Sequence, residues 1–283
     1  MQVKNYRNFR YVSNKPIGEV IEDFARLSVS IRNRLENKAK IIDTLMAIFS
    51  ILIIISIFLC FVGIGFLLLP LFIICSLYFS KQSQKYHALQ NYIYRYSLSK
   101  KIVSLLNRDI KENSRLNVSV DFNLPIIKRK RIKKTKSSNY AGRKITNYFD
   151  PWLNIQGEFA DRTKFKFNIA EYYRNTSRWK TSRSGKRKWK SKNKFKGMEI
   201  ELQLIYQPKK YGGAAILKKD AIDAIVLAQT AKLKAFKISP KLMQIKVFLP
   251  QKSPALIYQT VISMFLSLYQ ILNLARTLSK VSK

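Results

Sequence analysis

Few residues in this chain are of types that do covalent chemistry. It has a single histidine, His87, and two cysteines, Cys60 and Cys75. Zinc sites need clustered Cys and His ligands, and neither the supply nor the spacing exists. Gly212-Gly213 lacks the strand-loop-helix context of a phosphate loop. The serines of the C-terminal portion have no histidine to activate them. The carboxylate pairs are Glu158 with Asp161, Glu199 with Glu201, and Asp220 with Asp223. Metal-dependent nucleases need two or three carboxylates and a lysine, and Glu199 and Glu201, two apart on a strand, would share a face. Scattered among so many cations, these acids read instead as charge partners. We therefore expect no catalytic residue, no metal and no cofactor.

The cations are the stronger chemical signal. Lys and Arg number 53 against 16 acids, for a net charge of +37 over 283 residues. Residues 1–80 hold 9 basic and 5 acidic side chains, residues 81–252 hold 41 and 11, and residues 253–283 hold 3 and none. Such an excess repels itself unless an anion neutralises it. Within residues 174–196 lie 11 basic residues and no acid: Arg174, Arg178, Lys180, Arg183, Lys186, Arg187, Lys188, Lys190, Lys192, Lys194 and Lys196. Trp179, Trp189 and Phe195 are interleaved. Residues 128–136 form a second patch, with Lys128, Arg129, Lys130, Arg131, Lys133, Lys134 and Lys136. Cationic segments with aromatics grip phosphate backbones and stack on bases. The same composition binds anionic lipid headgroups, at about 1 kcal/mol per Lys or Arg near the surface. The expected ligand is a polyanion, nucleic acid or a nucleic-acid-bearing assembly first and anionic lipid second.

These residues must be positioned by the rest of the chain, which is organised around Thr44–Ser80. That stretch has 37 residues and no charge. One helix of that length would reach about 55 Å at about 1.5 Å per residue, against a hydrocarbon core of about 30 Å. Gly63, Gly65 and Pro70 offer a break. We read a two-span helical hairpin, 44–61 and 66–80. Arg26, Arg32, Arg34, Lys38 and Lys40 precede it, and Lys81, Lys85, Arg95, Lys100 and Lys101 follow. Basic flanks stay cytoplasmic, so both termini and the following domain are expected on the cytoplasmic side. Both cysteines fall inside the spans, as small apolar residues.

The flanks read as follows. Residues 1–15 form a basic, aromatic, extended arm. Ile17, Val20, Ile21, Phe24, Leu27, Ile31 and Leu35 recur at helical spacing, predicting an amphipathic helix over 16–43 that runs into the first span. A post-membrane helix follows within 81–113. From 114 to 283 we expect a basic α+β domain with a mainly antiparallel sheet. Leu116, Val118, Val120, Phe122 and Leu124 alternate as a strand, and residues 152–159 form another. Residues 137–142 read as a loop. A two-residue turn at Ser184-Gly185 would set Phe165 opposite Leu204, Phe167 opposite Leu202 and Ile169 opposite Ile200, which predicts a long basic β-hairpin. A helix over 221–237, a strand over 244–249 and an amphipathic helix over 254–279 complete the reading. The last is expected to cover the sheet or lie on the bilayer rather than form a third span, because its polar residues keep to one stripe.

The fold class is thus membrane α plus a cytoplasmic α+β domain. Its expected function is non-enzymatic polyanion binding at a membrane, alone, as a homo-oligomer or within a larger complex. Two alternatives belong to other classes: a two-span pore-forming or membrane-disrupting effector, and a clamp on anionic lipid.

Overall fold

In a computed structural model of the chain, residues 6–7, 9–60, 65–111, 113–136, 142–211, 214, 217 and 220–281 are described. The chain divides into two compact units, Met1–Asp23 with Leu98–Lys283, and Phe24–Ser97.

The larger unit is built on an antiparallel sheet. Its strands are β1 (Tyr6–Arg7), β2 (Arg10–Pro16), β3 (Arg115–Asp121), β4 (Arg131–Lys136), β5 (Lys144–Glu158), β6 (Lys164–Thr181), β7 (Arg187–Ile205), β8 (Lys232–Ser239) and β9 (Leu242–Leu249). The spatial order is β1-β2-β3-β5-β6-β7-β9-β8, with β4 paired to β5 outside that path. Alternation explains most of it. Leu116, Val118 and Val120 are fully buried, as are Ile200, Leu202, Leu204, Met243, Ile245 and Val247.

Four helices begin or lie in this unit's sequence. They are the last part of α3 (Tyr94–Leu106), the short α4 (Pro208–Tyr211) and α5 (Asp220–Asp223), and α6 (Pro254–Val281). Ile257, Val261, Met264, Leu268 and Leu272 of α6 are fully buried. The Phe265 ring lies 6.1 Å from Phe159 and Phe167 and 6.3 Å from Phe165. The last helix therefore covers the sheet with its apolar face, as its polar stripe predicted.

Three expectations are corrected. The N-terminal arm is a strand: β2 pairs with β3 from Arg10↔Asp121 to Pro16↔Arg115. Tyr11 is fully buried there, and its hydroxyl donates to Asp23 over 3.0 Å. Alternation over Tyr11 and Ser13 was the signal, hidden by the cations between them. The helix expected over 221–237 stops at Asp223, and residues 232–239 are β8. There Lys232, Lys234 and Lys237 break any continuous apolar helical face and instead give an edge strand its charges. The strand expected over 152–159 starts at Lys144 and passes Pro151 through a bulge.

The smaller unit is helical. It holds most of α1 (Ile17–Leu59), which is continuous across the amphipathic and apolar segments, and all of α2 (Gly65–Gln90), with Pro70 inside it. Tyr92 and Ile93 form a turn before α3. The predicted tip at 61–64 lies outside the described residues. Asp43 accepts from Ser83 Oγ at 2.6 Å and lies 3.1 Å from His87 Nε2, and Phe49 stacks on Phe79 at 5.3 Å. Residue numbers thus rise on α1 as they fall on α2. His87, expected to be solvated, pairs with Asp43. Ile48, Ile51, Ile54, Ile55 and Phe58 of α1, and Phe66, Leu71, Ile74 and Leu77 of α2, are exposed.

By length and composition, two helices among the described residues are apolar enough to cross a membrane: Ile17–Leu59, with a mean hydropathy of 2.6 in its best window, and Pro254–Leu278, with 1.5. Only 6% of the first window is buried, against 44% of the second. The second helix has protein to cover it and the first does not.

Candidate functional site

The β6–β7 hairpin carries the site, and its geometry follows from two registers. At the root the predicted pairs hold: Phe165↔Leu204, Phe167↔Leu202 and Ile169↔Ile200. The register then shifts. Tyr172 pairs with Gly197 but Tyr173 pairs with Phe195, leaving Lys196 as a one-residue bulge. The predicted two-residue turn is replaced by a three-residue loop, Arg183-Ser184-Gly185. Ser182 N–H donates to Lys186 O at 2.9 Å and Gly185 N–H to Ser182 O at 3.0 Å. Gly185 has φ of +76°, the left-handed residue that closes such a loop.

The one-residue shift decides which side chains share a face. Directly paired residues of antiparallel strands point the same way. Beyond the bulge the pairs are Arg174↔Lys194, Thr176↔Lys192, Arg178↔Lys190 and Lys180↔Lys188. Every position of this ladder except Thr176 is basic, and all the cations are exposed. The opposite face carries Asn175↔Asn193, Ser177↔Ser191, Trp179↔Trp189 and Thr181↔Arg187. Trp179 and Trp189 meet edge to face at 5.3 Å and are 58% and 42% exposed. Asn175 donates to Ser191 and Asn193 at 2.7 and 2.6 Å. The tryptophans are therefore not behind the cations but on the other side of the ribbon. Arg183 and Lys186 belong to the turn, and Arg187 to the tryptophan face.

Strand β5 joins the two basic tracts that the sequence keeps apart. The row Lys133↔Asn147↔Arg174↔Lys194 crosses four strands on the ladder's face. Lys134 pairs with Thr146 and sits on the other face. A concavity of about 690 Å³ runs along the ladder, lined by Arg174, Arg178, Lys180, Lys190, Lys192 and Lys194 and also by Arg143 and Lys196. Arg143 was not legible from sequence: nothing near it announces that β5 begins so early.

The second patch divides. Lys128 opens a short 3-10 turn, Lys128–Lys130, and Arg131 begins β4. Lys130 is only 7% exposed and binds Asp150 at 2.6 Å and Asp121 at 3.2 Å. Arg129 bonds Asp121 at 2.7 Å. Burial acts to raise the Asp121 carboxyl, but Lys130 and the Asn123 hydrogen bonds outweigh it and hold it below the usual range. Lys130 is thus corrected from a surface ligand to an internal cation.

The carboxylate pairs are occupied. Glu199 binds Lys234 at 2.6 Å and Lys246 at 3.4 Å, and Glu201 lies 3.7 Å from Lys246. Burial raises Glu199, yet these lysines more than offset it and its pKa falls. Asp161 accepts from Tyr211 and from Thr163 N–H and Oγ1. Burial and this carboxylate together push the Tyr211 hydroxyl up to about 12. Among the described residues no group of three His, Cys, Asp or Glu converges.

No protein-family model, curated protein or solved structure matches the chain.

Proposed function

We propose that this chain is a two-span membrane protein whose cytoplasmic domain, without catalysis, binds a polyanion on the basic ladder of the β6–β7 hairpin. Nucleic acid, or an assembly bearing it, is the ligand favoured here. The carrying observation is the set of like-charged cross-strand pairs, Arg174↔Lys194, Arg178↔Lys190 and Lys180↔Lys188. Like charges directly opposite destabilise a sheet. Their cost is relieved when phosphates lie between them. The exposed apolar surface of α1 and α2 supports the two spans, because soluble surfaces rarely show patches so continuous. The basic flanks support the cytoplasmic side for both termini and the sheet.

Anionic lipid is the second reading, and the exposed Trp179–Trp189 pair favours it, since tryptophan suits the membrane interface. The test uses the full chain in neutral nanodiscs, titrated with single-stranded RNA, duplex DNA and phosphatidylserine vesicles at two salt concentrations. Changing Arg178, Lys180, Lys190 and Lys192 to Ala is expected to weaken nucleic-acid binding and lower the salt slope by about 3, at about 0.7 per phosphate contact. Unchanged affinity would remove the ladder from the site. Preference for vesicles in competition would replace nucleic acid by lipid.

A further inference from the structure

The ladder has a definite repeat, and the repeat names its ligand. Lys188, Lys190, Lys192 and Lys194 occupy alternate positions of one strand and face one way. Alternate residues of a strand are about 6.6 Å apart. A nucleotide contributes six backbone bonds and an amino acid three. An extended sugar-phosphate backbone therefore repeats in about the length of two extended residues, roughly 6–7 Å. The opposing cations, Arg174, Arg178 and Lys180, stand directly across from Lys194, Lys190 and Lys188. Neighbouring strands are about 4.8 Å apart. A line of phosphates lying between the two rows thus meets a cation from each side at three of the four steps, and Thr176 with Lys192 at the fourth.

We infer that the ladder binds single-stranded nucleic acid lengthwise, one nucleotide for every two residues, over about four phosphates. This rests on the polyanion reading above. Two features set the length. At the tip the ladder ends in the Arg183-Ser184-Gly185 loop. Toward the root the same face passes Tyr172 and reaches the carboxylates Glu199 and Glu201, where the sign of the surface changes. Shape selects the strand form. A two-stranded ribbon twists steadily, and an unpaired strand has the free torsions to follow it. The phosphates of a stiff duplex curve away from such a ribbon within a few steps. The tryptophans lie on the opposite face, so binding is expected to depend on phosphate and length and little on base identity.

The test measures affinity of the full chain in neutral nanodiscs for oligothymidylates of 2 to 12 nucleotides, and for a 12-base-pair duplex. Affinity is expected to climb steeply to about five nucleotides and then rise only slowly. The salt slope should level near 3, at about 0.7 for each of four phosphates. The duplex should bind more weakly than the single strand of the same length. A second variant keeps the net charge but breaks the ladder: Lys190→Ser with Ser191→Lys, and Lys192→Asn with Asn193→Lys. It is expected to lose about tenfold in affinity, because the moved cations point to the far side. Affinity that grows evenly to 12 nucleotides, a duplex bound as tightly, or a swap without effect would overturn the ladder while leaving polyanion binding in place. No binding to any oligonucleotide or duplex at low salt would overturn both readings.

Discussion

Gly197 of β7 lies under the ring of Phe248 in β9 with no room for another carbon. A Cβ built on Gly197 would fall 2.1 Å from Phe248 Cζ and 2.4 Å from Cε2. Its φ is +125°, a region L side chains rarely adopt. This glycine adjoins the Lys196 bulge, and the bulge turns the alternation of β7 over by one residue. Without it Lys188, Lys190, Lys192 and Lys194 would face the side of Trp179. The packing of one ring on one glycine is therefore linked to the charge pattern about 20–30 Å further out, at about 3.3 Å per residue.

Gly197→Ala is expected to destabilise the protein by about 2–4 kcal/mol, from clash and backbone strain together. Gly197→Ala with Phe248→Ala should recover none of the strain component, because φ stays positive. Chemical denaturation in detergent checks both. Wild-type stability in Gly197→Ala would show that the bulge does not need glycine.

Lys130 and Asp150 form a buried ion pair at 2.6 Å, with Lys130 Nζ also near Asp121. Removing one partner of such a pair leaves the other charge uncompensated, so Lys130→Ala should cost about 3–5 kcal/mol. Lys128→Ala, in the same tract but at its surface, should stay within about 0.5 kcal/mol. Equal effects of the two would contradict the division of that tract into an internal and an external part.

Acid should unfold the sheet domain by a defined route. Asp121, Asp161 and Glu199 all have pKa values below their unfolded ones. Groups of this kind contribute stability that is full above the unfolded carboxylate range and is lost as pH falls through the folded values. Melting temperature is expected to be level from neutral pH to about 5 and to drop below about 4. Asp161→Asn should flatten part of that drop. A melting temperature that rises on acidification would reverse the sign and refute the assignment.

Trp152 is fully buried, whereas Trp179 and Trp189 are exposed. Acrylamide should therefore quench two of the three tryptophans, and Trp179→Phe with Trp189→Phe should leave a blue-shifted, protected emission. Phosphatidylserine vesicles should leave the wild-type emission unshifted if the ladder takes nucleic acid. A blue shift would place the tryptophan face in lipid.

The proposed topology predicts labelling from one side only. In a Cys60→Ala, Cys75→Ala background, Ser184→Cys at the tip of the hairpin should react with an impermeant maleimide in inside-out vesicles and not in right-side-out ones. Reaction in right-side-out vesicles would invert the orientation.

Local pattern was enough for much of this protein. The uncharged run of 37 residues, the alternation of Phe165, Phe167 and Ile169 with its counterpart in Ile200, Leu202 and Leu204, and the polar stripe of the last helix are each legible without neighbours. Hydrophobic period reports which face is buried, and that suffices to pair a root. It does not report what a strand pairs with when its own residues are charged. Tyr11 belongs to a strand only because β3 would otherwise present an open edge, and Lys232–Ser239 only because β9 receives it. Nor does composition tell an internal lysine from an external one, since Lys130 became internal through Asp150, 20 positions away. The ladder itself lies at that boundary. Its cations are plain in the sequence, but their common face is set by a single-residue bulge. Because side chains alternate with a period of two, one extra residue moves the whole set from one side to the other, and only the contact of Gly197 with Phe248 shows where that residue sits.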